Sequence, residues 1–136
     1  MTLLMTLLLL AACGGPITGT WTGDCGLTAG DRTQELALTL YVDEDHGAAF
    51  AGSADIDGHD FQYTLDGQYT DTTVDFALVG TLPDEPDSAV AHVEFSGDFE
   101  PGAHMEGPGE YWVAIESDAG SGESDHFVGD CTLDSY

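Results

Sequence analysis

The sequence is almost without fixed positive charge. Of its 136 residues Arg32 is the single Lys or Arg, against 26 Asp and Glu, giving a formal net charge of −25 with the histidines neutral. Gripping a phosphate backbone takes clustered Lys and Arg, so no nucleic acid is expected as a partner, nor is electrostatic docking on an anionic lipid surface. A long apolar run is missing as well. The first twelve residues are uncharged and rich in Leu, but they fall far short of the ~20 residues that a spanning helix requires. Beyond Pro16 no segment repeats with a helical period. Catalytic signatures are also missing: there is no Gly-x-Ser-x-Gly elbow, no His-Glu-x-x-His and no Cys-x-x-Cys, so neither an enzyme nor a cofactor is expected. What is present suffices for a folded core. Hydrophobic residues make up 42% of the chain and include two Trp, five Tyr and six Phe, too much apolar surface for a disordered protein.

The apolar opening ends in Leu10-Ala11-Ala12-Cys13-Gly14, small residues before a cysteine, and Gly14, Gly15 and Pro16 stop any helix immediately afterwards. This pattern resembles the lipobox of bacterial lipoproteins, although the basic residue that usually opens such a signal is missing before the apolar run. The resemblance implies a signal peptide over 1–12, a diacylglycerol on the Cys13 thiol, a short tether over 13–16 and a domain over 17–136. The membrane is then a partner through the lipid on Cys13. Several acyl chains give the firm hold that one chain cannot. Gly14 stands where an Asp retains such lipoproteins in the inner membrane, so the resemblance favours the outer membrane of a bacterial envelope.

Three cysteines is an odd number for an exported chain. Lipidation of Cys13 accounts for one, and an oxidising compartment permits Cys25 and Cys131 to pair, the alternative being two buried free thiols.

From Ile17 onward the chain alternates. Ile17, Trp21 and Cys25 share one face with Gly19 and Gly23, and Leu36, Leu38, Leu40 and Val42 form the next inward set. Further segments follow around Phe50 to Ile56, Phe61 to Tyr69, Val74 to Leu82, Ala91 to Phe99, Met105 to Ile115 and Phe127 to Leu133, which makes eight strands. Asp57-Gly58 reads as a two-residue hairpin turn, Pro83 to Ser88 as a loop, and Ser117 to Ser124 as a Gly- and Ser-rich loop. None of these connections holds a crossover helix, so consecutive strands pair antiparallel. Eight strands can close into an up-and-down barrel, and the inward parity of Cys25 and Cys131 suits a pairing of the first strand with the last. The alternative is a β-sandwich, which uses the same alternation.

Gly19-Thr20-Trp21 near the start of such a chain resembles the opening of the lipocalin and avidin superfamily, in which the tryptophan plugs one end of a small barrel. The resemblance implies an all-β fold of that kind. Inward glycines at 52, 67, 80, 97, 107 and 129 fit a narrow, sharply coiled interior. Trp112 has outward parity. Ten large inward rings point to a packed interior with at most a shallow pocket at one mouth, suited to a small apolar ligand. Candidate ligand contacts are Trp21, Phe50, Tyr63, Tyr69, Phe95 and Tyr111.

Other chemistry is thinly signalled. His92, His104 and His126 share an outward parity, but isolated surface histidines are the commoner explanation and no metal site is assigned. Asp55-Ile56-Asp57-Gly58-His59-Asp60 has oxygens at alternate positions yet lacks the twelve-residue frame and terminal Glu of a calcium loop. The expected function is a lipid-anchored, non-enzymatic binding module. A periplasmic protease-inhibitor-like protein and an enzyme on a lipocalin-like barrel are the alternatives. The lipobox reading predicts that Cys13→Ser abolishes membrane association. Unchanged membrane fractionation of that variant would refute it.

Overall fold

A computed structural model describes residues 16–85, 88–117 and 120–136. Cys13 and the signal peptide expected over 1–12 lie outside the described residues. The chain forms β1 (Gly19–Ala29), β2 (Arg32–Asp45), β3 (Ala49–Ile56), β4 (Gln62–Tyr69), β5 (Thr73–Thr81), β6 (Ala89–Glu100), β7 (His104–Ser117), β8 (Gly120–Glu123) and β9 (Phe127–Ser135). Each of the first seven pairs antiparallel with the next, β7 also pairs with β9, and β9 pairs with β1. The sheet therefore closes on itself as an eight-stranded up-and-down barrel, as the alternation predicts, and the sandwich is ruled out.

Period two accounts for the packing. Trp21, Cys25 and Leu27 of β1 are buried, as are Leu36, Leu38, Leu40 and Val42 of β2, and the same parity holds around the barrel to Leu133. Among the described residues no buried side-chain nitrogen or oxygen lacks a hydrogen-bond partner. The interior is apolar, and its formation draws on the area-proportional gain of removing these side chains from water.

The closing seam joins β1 to β9, where Cys25 is directly opposite Cys131 and the two form a disulfide with 4.0 Å between their Cα atoms. The bridge spans 106 residues. On a chain-entropy treatment a loop of about 100 residues contributes roughly 4.7 kcal/mol by restricting the unfolded chain. The sulfurs also dictate a neighbour. A Cβ on Gly109 of β7 would lie 2.5 Å from Cys131 Sγ, and Gly107 passes Gly97 of β6 so closely that its Cβ would be 2.5 Å from the Gly97 Cα. Only glycine permits these approaches.

Three local expectations are corrected. The 117–124 stretch is not simply loop, because β8 folds back onto the end of β7, pairing Ala114 with Glu123 and Ile115 with Gly122. β7 has 14 residues and overshoots the barrel rim, so its last turn of pleat has an edge free to pair. For the same reason Ile115, although of inward parity, is 50% exposed. Thirdly, the Asp57-Gly58 turn forms, with Gly58 at φ 81° and the His59 N–H donating to Ile56 O at 3.0 Å, but pairing between β3 and β4 stops at Ala54 opposite Tyr63. The connection is thus residues 57–61 rather than two residues.

At one end of the barrel the chain before β1 crosses the opening. Gly102 N–H donates to Pro16 O at 3.0 Å, Trp21 Nε1–H donates to Ile17 O at 2.8 Å, and Ile17 is fully buried. This end, the lower one, is sealed.

Replacing Cys25 and Cys131 together by Ser is expected to lower unfolding stability by about 2 to 5 kcal/mol in denaturant titrations. Gly109→Ala should destabilise the oxidised protein more than the reduced one, since its methyl group meets the bridge. Equal losses in both states would show that Gly109 serves something other than the disulfide.

Candidate functional site at the upper mouth

The six candidate ligand contacts do not lie together. Trp21, Phe50 and Tyr69 belong to the sealed lower end, where Trp21 packs against Phe99 at 6.0 Å between ring centroids, Tyr69 against Phe99 at 5.7 Å and Tyr69 against Phe50 at 6.0 Å. The Tyr69 hydroxyl donates to both carboxylate oxygens of Asp45 at 2.8 and 2.9 Å. Burial, and then the Asp45 carboxylate, push its pKa up to about 12. Phe95 sits at mid-height, stacked on Phe76 with centroids 5.0 Å apart. Only Tyr63 and Tyr111 reach the upper mouth, where they meet residues that the sequence alone did not nominate.

The upper mouth is shaped by the 57–61 connection. A two-residue loop at Asp57-Gly58 would set Ile56 opposite His59, but the observed register is displaced by two residues. Such a displacement keeps every side chain on its own face, so Tyr63 and Leu65 still point inward. Gly80 makes it workable, since a Cβ there would lie 2.6 Å from the Tyr63 ring. The slack carries His59 back over the opening, with Asp57 N–H bonded to Ala37 O at 3.0 Å. His59 Nδ1 and the Tyr63 hydroxyl share a hydrogen bond of 2.8 Å. The imidazole centroid is 5.5 Å from that of Tyr111, 6.1 Å from Tyr63 and 6.4 Å from Phe61 in an edge-on contact, within the range of favourable ring packing.

Phe127 extends this wall, 6.4 Å from Tyr111, and the Arg32 guanidinium lies 5.3 Å above the Phe127 ring. Arg32 also pairs with Asp125 at 3.1 Å, with side chains 67% and 63% exposed, so the ion pair is screened and contributes little. The single fixed cation of the chain therefore stands on the rim, already neutralised. Inside the rim, burial raises the pKa of Tyr63 and of Tyr111, the former helped by the nearby Tyr111 hydroxyl. Burial lowers the pKa of His59, opposed by the Asp60 carboxylate. The mouth thus offers apolar ring faces, two neutral phenols and a neutral imidazole.

The other histidines lie outside the barrel. His92 and His126 stack on opposite faces of Trp112, at 4.9 and 4.7 Å, too far apart across the indole to share an ion. His126 donates from Nδ1 to Glu110 at 2.8 Å and from Nε2 to Glu123 at 3.2 Å. Ionised carboxylates only accept, so the two contacts together favour the protonated ring and raise its pKa. His104 similarly donates from Nδ1 to Asp134 at 2.6 Å, tying β7 to β9. Among the described residues no three His, Cys, Asp or Glu side chains are grouped to hold a metal ion. Two further cavities, of about 900 and 570 Å³, lie along the barrel wall: the larger is lined by the candidate contacts Phe50 and Phe95 with Phe76, Asp66, Asp75 and Glu94, the smaller by residues such as Asp24, Leu38 and Asp55.

Sequence alone assigns His59 no ligand contact. The available clue was the spacing: His59 and Asp60 separate the Asp57-Gly58 turn from the resumed alternation at Phe61.

The histidines are expected to titrate in opposite directions. The hydrogen-bonded carboxylates raise His104 and His126 above 6.5, while burial holds His59 below it. For the raised pair, stability is fully present below pH 6.5 and is lost as pH rises through their folded pKa values. For His59 the unfolded chain binds the proton first, so stability is lost as pH falls below 6.5. Imidazole NMR titrations should give this order. A His59 titrating above 6.5 would show that the cap does not keep water from the ring.

No family model matches the chain, and no curated protein does. Among solved structures, the crystal structure of rhizavidin matches with a TM-score of 0.50 and 15% identity over 87% of this chain and 81% of that one. The crystal structure of a rhizavidin–biotin complex matches with a TM-score of 0.49 and 15% identity, over 88% and 91% of the two chains. At this identity the likeness establishes the fold alone, and the fold is an avidin-like barrel.

Proposed function

We propose that this protein is a non-enzymatic binding module that takes a small, largely apolar ligand at the upper mouth of its barrel. The observation that carries the reading is the asymmetry of the two ends. The lower end is sealed by main chain and by Ile17 and Trp21, whereas at the upper end the His59 ring, carried by the 57–61 connection, lies against Phe61, Tyr63 and Tyr111, with Phe127 beside Tyr111. A concave apolar site with a few oriented polar atoms is the usual form of a small-molecule site. Here the polar atoms are the Tyr63 and Tyr111 hydroxyls.

The module sits at a bacterial envelope, held by lipid on Cys13 and directed to the outer membrane. Its acidic coat supports a covalent tether, because all 26 carboxylates follow Cys13 and an anionic headgroup surface repels them. The barrel begins a few residues after the lipid, with Pro16 already packed on Gly102.

The probe p-cresol, a ring with one hydroxyl, is expected to shift the amide NMR signals of Tyr63, Tyr111 and Phe127 in the full chain, and Phe127→Ala should weaken its binding several-fold. Shifts confined to Phe50, Phe76 and Phe95 around the larger cavity, or to Asp24 and Asp55 around the smaller, would overturn the reading.

A further inference from the structure

The cap over the upper mouth is itself a small molecule in chemical terms. We infer that the His59 imidazole is a built-in occupant of this mouth, standing where a small planar nitrogen heterocycle binds. This rests on the mouth being the binding site, and it names the class of ligand.

The geometry around His59 is that of a ring held as a ligand. Three aromatic side chains from two strands and the loop surround it at 5.5 to 6.4 Å between centroids. One ring nitrogen is met by a phenol at 2.8 Å. That phenol is buried, with Tyr63 only 3% exposed, so without a nitrogen or water opposite it the hydroxyl would lose its partner at a cost. A hydrocarbon in the same place would leave it so. A hydroxyl both donates and accepts, so Tyr63 can meet either a pyridine-like nitrogen or an N–H.

Electrostatics selects in the same direction. The chain carries a net charge of −25, Arg32 is neutralised by Asp125, and Asp57 and Asp60 are exposed beside His59. A carboxylate ligand approaches against this field, whereas a neutral or weakly basic heterocycle does not.

Exchange is geometrically simple. His59 is carried by the 57–61 connection, which lies outside the strand ladders, so the ring can leave while the barrel stays closed. A tethered occupant competes at a high effective concentration. Removing it therefore strengthens binding of a free analogue.

The test uses the full chain and two five-membered rings: 4-methylimidazole, which is the histidine side chain itself, and 3-methylthiophene, which lacks nitrogen. At a pH where 4-methylimidazole is neutral, His59→Ala is expected to bind it at least tenfold more tightly than the unsubstituted chain. Adding Tyr63→Phe should cost about tenfold for 4-methylimidazole and leave 3-methylthiophene unchanged. In the unsubstituted chain, high 4-methylimidazole should shift the His59 ring signals to those of a solvent-exposed histidine, a readout that does not depend on the variants folding. If both probes bind His59→Ala but Tyr63→Phe affects neither, the mouth is an apolar site without preference for nitrogen, and the inference falls while the proposed function stands. If neither probe binds any form, both fall.

Discussion

Closure of the sheet between β1 and β9 is the constraint from which the rest of this structure follows. A strand at either edge would expose a ladder of unpaired N–H and C=O groups. Here β9 fills the gap between β1 and β7, and Cys25 meets Cys131 at the middle of the seam. Once the seam is set, all inward side chains share one narrow interior, and glycine becomes obligatory wherever strands or sulfurs crowd, as at Gly107 and Gly109.

The two ends differ because the chain treats them differently. Main chain crosses the lower one, and its polar atoms are used in doing so, Pro16 O by Gly102 and Ile17 O by the Trp21 indole. The upper one is covered by a loop with slack. Opening the lower end would break main-chain hydrogen bonds of the closing segment, while opening the upper end breaks one side-chain hydrogen bond and a few ring contacts. Local opening of low cost is where binding and exchange are found in general.

The acid coat shapes what the outside can do. With one Arg in the chain, protonated histidine is the remaining source of positive charge, and His104 and His126 sit among carboxylates that hold the proton. Both link β7 to its neighbours near the seam. The coat repels copies of the same protein and anionic surfaces, and salt screens that repulsion.

Much of this was legible in the residues alone. Alternation identified the inward face of every barrel strand, because side chains in a strand change sides at each residue whatever the partner, and the same parity placed Cys25 and Cys131 inside and Trp112 outside. Register was not legible for the same reason: a displacement by two residues leaves every face unchanged, so nothing in the pattern distinguished a two-residue turn at Asp57-Gly58 from the longer 57–61 connection. Nor did parity show height along the barrel, which is why Trp21, Phe50 and Tyr69 could not be separated from Tyr63 and Tyr111. The sequence by itself determined an all-β chain with an apolar interior, an acidic exterior and a disulfide-compatible seam, since these depend on residue type and period. Only the tertiary structure decided that His59 folds over Tyr63 and Tyr111, because that contact depends on where pairing stops between β3 and β4.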